Sequence, residues 1–75
     1  MSQTIESIIA RVLDIAPDQV ADELEFQGIP QWDSMRHVDL MLALEEVYDG
    51  EIDADQIVEL TSVRAIRIWA QAQGG

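Results

Sequence analysis

The sequence predicts an all-α protein: a small four-helix bundle of three main helices plus one short helix, with a long loop between helices 1 and 2. Three observations predict it. Apolar residues recur at helical spacing in separate segments. No stretch alternates with period two for long enough to form a strand. The chain has only 75 residues, which suits one domain over 1–75. A chain of this size buries roughly 60% of the surface its unfolded form exposes. Carving a catalytic cleft would leave little core to hold the fold.

Residues 4–13 read as the first helix, because Ile5, Ile8, Ile9, Val12 and Leu13 follow the spacing of one buried face. Pro17 separates the next segment. Residues 14–32 form a long connection, a length that in compact domains is often functional. Val20, Leu24, Phe26 and Ile29 are expected to pin it to the core, with a short helical turn after Pro17. Gly28 and Pro30 prevent a regular helix there. Residues 34–48 form the longest helix, with Asp33 as N-cap and Gly50 as the stop. Residues 54–60 form the short helix, with Ile57, Val58 and Leu60 apolar. Thr61 or Ser62 caps a last helix over 63–72, which buries Val63, Ile66, Trp69 and Ala70. Gln73-Gly74-Gly75 reads as a frayed tail.

Fifteen acids face four bases, all arginine, for a net charge of −11. Such a surface repels nucleic-acid phosphates and anionic lipid and steers basic partners inward. With no cysteine, disulfides, thiolate metal sites and cysteine nucleophiles are excluded. No apolar run approaches the roughly 18 residues of a membrane span. The start, Met1-Ser2-Gln3-Thr4-Ile5-Glu6, lacks a secretory pattern. The expectation is a monomer in the cytoplasm, acting on neither nucleic acid nor membrane.

Placed on a wheel at about 100° per residue, residues 34–49 divide in two. Leu40, Met41, Ala43, Leu44, Val47 and Tyr48 make a complete core face. The other side holds Met35, Val38, Asp39, Leu42, Glu45, Glu46 and Asp49, three apolar side chains among four carboxylates. Exposed apolar groups ringed by charge suit a protein-docking surface. The plain alternative is that Met35 or Leu42 tucks against the long loop. Ser34 stands in the first turn beside that face. A helix N-terminus offers N–H groups and partial positive charge, which favours a phosphate ester. Taken alone, a serine after a capping aspartate is an ordinary first-turn residue.

Asp33-Ser34-Met35 resembles the Asp-Ser-Leu signature of acyl and peptidyl carrier proteins. The likeness continues through Val38, Leu40, Ala43-Leu44-Glu45-Glu46, Tyr48-Asp49, Glu51-Ile52 and Leu60-Thr61-Ser62-Val63, over essentially the whole chain. It implies an acyl-carrier-like fold and a 4′-phosphopantetheine arm, donated by coenzyme A to Ser34. It implies cargo, acyl or aminoacyl, held as a thioester and shuttled between enzymes, with no bond-making chemistry in the carrier itself. Asp33 would cap the helix and help bind metal or the modifying enzyme during arm transfer. Met35, Val38 and Leu42 would give docking area, and Asp39, Glu45 and Glu46 would steer and orient. The implied partners are a phosphopantetheinyl transferase, a loading ligase and downstream synthase or transferase enzymes with basic patches. Trp32 stands where many fatty-acid carriers have a small residue. Trp32-Asp33-Ser34 looks more like free-standing carriers of secondary metabolism or surface-polymer pathways. Met35 is similar to the methionine of D-alanyl carriers. Arg36 and His37 put base character near the serine.

Other functions fit the residues less well. Asp33, Ser34, His37 and Asp39 supply the residue types of a triad, but His37 falls about 60° from Ser34 on the core side of the wheel. Asp49, Glu51, Asp53 and Asp55 alternate like calcium ligands. An EF-hand, however, needs glycine and glutamate where Ala54 and Leu60 stand. Gly74-Gly75 lacks the strand pattern of a ubiquitin-like modifier. The remaining alternative is an acidic helical interaction module without a prosthetic group.

Overall fold

The computed structural model describes residues 4–73. Met1–Gln3 of the signal reading and Gly74 and Gly75 of the tail lie outside the described residues. Four α-helices follow in order: α1 (Ile5–Leu13), α2 (Ser34–Tyr48), α3 (Ala54–Glu59) and α4 (Val63–Ala72), with a 3₁₀ turn at Pro17–Gln19. This is the predicted bundle.

Each helix starts on a side-chain cap. The side chains of Thr4, Asp33, Asp53 and Ser62 accept the N–H groups of Ser7, Arg36, Gln56 and Ala65. Each cap satisfies one of the donors a helix leaves open. Thr4 is therefore the cap of α1 rather than its first residue. Likewise Leu60 ends α3 as its C-cap.

The core joins Ile8, Ile9 and Leu13 of α1, Leu40, Met41 and Leu44 of α2, and Val63, Ile66, Trp69 and Ala70 of α4. Trp69 meets Tyr48 edge to face at 5.4 Å. Ala43, Val47 and Tyr48 flank it half-buried. Two expectations change. The stop of α2 is Asp49, in the left-handed conformation at φ 52°, and Gly50 only follows it. A carboxylate residue tolerates that conformation because its short polar side chain can bond locally. Val58 faces solvent, 73% exposed, because a six-residue helix lying on the bundle surface buries only one side.

The connection from 14 to 33 is stitched down along its length. Val20 is buried, and Leu24, Phe26 and Ile29 pack against the core. Phe26 N–H donates to Thr61 O at 2.8 Å and Val63 N–H to Leu24 O at 3.0 Å. These bonds form one isolated antiparallel bridge, Glu25 with Ser62, too short for any sequence period to reveal. Gly28 N–H closes a turn on Glu25 O at 2.8 Å. A Cβ on Gly28 would lie 2.9 Å from that same oxygen, so this turn requires glycine. Gln27 holds φ 66° at the third turn position, where glycine or asparagine is usual.

The helices and the loop are also joined by charge. Arg67 of α4 pairs with Glu6 of α1 and with Asp22 of the loop. Its Nε lies 2.7 Å from Asp22 Oδ1 but without hydrogen-bond alignment, so this contact is an ion pair. No described helix is long and apolar enough to cross a membrane.

Candidate functional site

The site is built on the first turn of α2. Asp33 has extended backbone, and its Oδ1 accepts Arg36 N–H at 2.9 Å. That bond fixes the point where the chain turns from loop to helix. Ser34 is the first helical residue and is exposed. Its hydroxyl thus stands at the positive end of a 15-residue helix, where first-turn N–H groups lack internal acceptors.

Beneath the exposed serine the structure is rigidly tied. Arg36 Nη1 donates to Leu13 O at 2.8 Å, closing the C-terminal end of α1. Trp32, two residues before the serine, is completely buried. Its indole N–H donates to His37 Nδ1 at 3.0 Å, and His37 Nε2 lies 2.8 Å from Ile57 O. Indole nitrogen can only donate, so Nδ1 is the acceptor and Nε2 carries the proton donated to Ile57. The Phe26 ring lies 4.9 Å from the imidazole. Arg36 and His37 therefore do not form a basic surface at the serine. One guanidinium is spent on α1, and the imidazole, 5% exposed, is the one buried polar side chain among the described residues.

The rejected triad fails on the same ground: both ring nitrogens of His37 are occupied by Trp32 and Ile57. A groove of about 410 Å³, lined by Gln27, Gly28, Ile29, Pro30, Trp32 and Asp33, runs up to the residue before the serine. Among the described residues, no group of three or more histidine, cysteine or carboxylate side chains is placed to hold a metal ion.

Of the residues assigned to docking, Met35, Val38 and Leu42 are 78%, 51% and 58% exposed. They share one stripe of α2, with Asp39 and Glu46 exposed beside them. Met35 and Leu42 do not tuck under the loop. Glu45 differs. It is half-buried, and its Oε2 accepts Ile52 N–H at 2.8 Å. That carboxylate anchors the segment after α2 and is only partly available to a partner.

The sequence reading missed the Trp32–His37–Ile57 chain. Its signal was available: a buried tryptophan N–H needs an acceptor, and the core side of the wheel held a histidine five residues on.

Comparison with known proteins gives the family. Residues 3–69 match the family model described as phosphopantetheine attachment site. An acyl carrier protein of Picosynechococcus sp. (strain ATCC 27264 / PCC 7002 / PR-6) is 35% identical over 71 residues, 93% of this chain and 88% of the relative. An acyl carrier protein of Sulfurovum sp. (strain NBC37-1) is 32% identical over 59 residues, 79% of each chain. The helical fold, the match along nearly the whole chain and these two relatives make this chain a member of the phosphopantetheine-binding acyl carrier protein family, which presents groups to enzymes rather than transforming them.

Proposed function

We propose that Ser34 is the residue that takes the 4′-phosphopantetheine arm and that the exposed stripe of α2 docks the enzymes that load and unload it. One observation carries the reading: an exposed serine hydroxyl at the first position of the longest helix, directly after its capping aspartate. The residues suit the group. A phosphodiester there meets the positive end of α2, and no core packing has to be broken to reach the hydroxyl. When attached, the arm supplies a terminal thiol that carries cargo as a thioester.

The protein's own residues then position and present. Asp33 fixes the helix start and so the direction of the serine. Met35, Val38 and Leu42 supply contact area; Asp39 and Glu46 supply charge, with Glu45 contributing in part. Partners with basic rims fit a chain of net charge −11. Such electrostatics raise association rates more than affinity, which suits a carrier that must leave each enzyme quickly. The intended partners are a phosphopantetheinyl transferase, an acyl- or aminoacyl-loading ligase and a downstream synthase or transferase. The whole of 1–75 acts as one carrier domain, monomeric and cytoplasmic.

The test is intact mass after incubation with coenzyme A and a phosphopantetheinyl transferase. The wild-type chain gains one arm and the Ser34→Ala chain gains none. An interaction module without a prosthetic group would leave both masses unchanged.

A further inference from the structure

We infer that His37 is a positioning residue that locks α3 to the first turn of α2, so that the segment carrying Ser34 and the exposed Val58 form one rigid surface. Within α3 only the half-buried Ile57 is among the hydrophobic side chains packed against the core. None of its six residues is fully buried, and Val58 points outward. Its ends are held by Ile52 and Leu60, both buried, outside the helix proper.

The Ile57 carbonyl is among the last four of α3, the groups a helix leaves without internal partners. His37 fills that vacancy from α2 at 2.8 Å. Trp32 fills the other side of the imidazole at 3.0 Å, and this fixes which nitrogen carries the proton. Phe26 packs across the ring. One side chain thus joins the loop end two residues before Ser34, the first turn of α2 and the last turn of α3. Removing it would leave a buried indole N–H and a helix-end carbonyl without partners. Groups left so cost more than an average hydrogen bond contributes.

The function of this joint is mechanical. With it closed, a partner that docks on the stripe of α2 meets α3 in a fixed place. With it open, α3 keeps its end anchors and the half-buried Ile57 side chain but loses the bond at its last turn and fluctuates more. Glutamine at position 37 offers a carbonyl acceptor and an NH2 donor group on one short amide, so it can remake the link in part; leucine can remake none of it.

The experiment is amide hydrogen exchange on the full chain for wild type, His37→Leu, His37→Gln and Trp32→Phe. Each is also assayed for coenzyme A-dependent modification by a phosphopantetheinyl transferase. In His37→Leu, protection across 54–59 falls roughly five- to a hundredfold more than in α1 or α4, the range that a buried group left without its partner gives. His37→Gln recovers part of it. Trp32→Phe, which keeps an aromatic ring in the core, shows a smaller loss in the same segment and serves should His37→Leu fail to fold. The transferase KM rises several-fold at unchanged kcat.

Unchanged protection of α3, or an equal loss in α1 and α4, overturns the inference. The kinetic arm rests on the reading of Ser34 above and the exchange arm does not. A wild-type chain that takes no arm would sink that reading while exchange still decides this one.

Discussion

The guanidinium of Arg36 donates to the Leu13 carbonyl at 2.8 Å across 23 residues of sequence, so the turn that presents Ser34 is bolted to the end of α1. The bond satisfies a helix-end carbonyl with a charged donor, one of the stronger kinds of hydrogen bond. It also explains why a base can sit two residues from the serine without making that surface basic.

Arg36→Met keeps the aliphatic stem and removes the bond. Partial exposure discounts the loss to about 1–2 kcal/mol. In a domain of this size that lowers the melting temperature by roughly 5–10 °C. Thermal unfolding followed by circular dichroism checks it; an unchanged midpoint contradicts it.

Asp33 combines a cap and a charge, and two substitutions separate them. Asp33→Ala loses the bond to Arg36 N–H and about 1 kcal/mol of stability. Asp33→Asn keeps a side-chain oxygen and stays within a few tenths of wild type. If transferase activity falls in both, the charge matters for modification; if only in alanine, the cap does. Denaturant melts and modification rates, measured side by side, make the distinction.

Gly28→Ala drives a methyl group against Glu25 O at 2.9 Å, backbone against backbone, where neither side can step aside. Overpacking of this kind costs about 1–3 kcal/mol. Gln27→Gly, at φ 66°, works the other way and stabilises by roughly 0.5 kcal/mol through relief of backbone strain. A urea midpoint that moves the same way for both variants would refute this account of the loop.

Leu42→Ser removes apolar area from the proposed docking stripe without touching the core. We expect transferase KM to rise about fivefold, the equivalent of about 1 kcal/mol of lost apolar burial, with no change in melting temperature. Salt acts on the same contact through charge. Raising it from about 0.1 M to about 1 M shortens the Debye length from ~10 to ~3 Å and raises KM further. A KM indifferent to salt would remove the acidic groups from the docking account.

Much of this was legible in the sequence. The period of Ile8, Ile9 and Leu13, and of Val63, Ile66 and Trp69, is a direct imprint of one buried face per helix. The cap Asp33 announces itself because few residue types can accept a first-turn N–H, and the same rule narrows the last cap to Thr61 or Ser62, of which the structure uses Ser62. The rest depends on contacts distant in sequence, which no local pattern encodes. Glu45 looks like any other surface acid on a wheel until Ile52 N–H is seen beside it. Gly50 looks like the helix stop, yet Asp49 takes the left-handed turn. Trp32 looks like an irregularity before the serine, and only the position of His37 turns it into part of the support beneath it.

The most direct measurement is fragment-level mass spectrometry of the chain after incubation with coenzyme A and a competent transferase. The arm is predicted on Ser34 alone, with Ser34→Ala unmodified under the same conditions. An arm found on another hydroxyl, or its equal uptake by the alanine variant, would contradict the account.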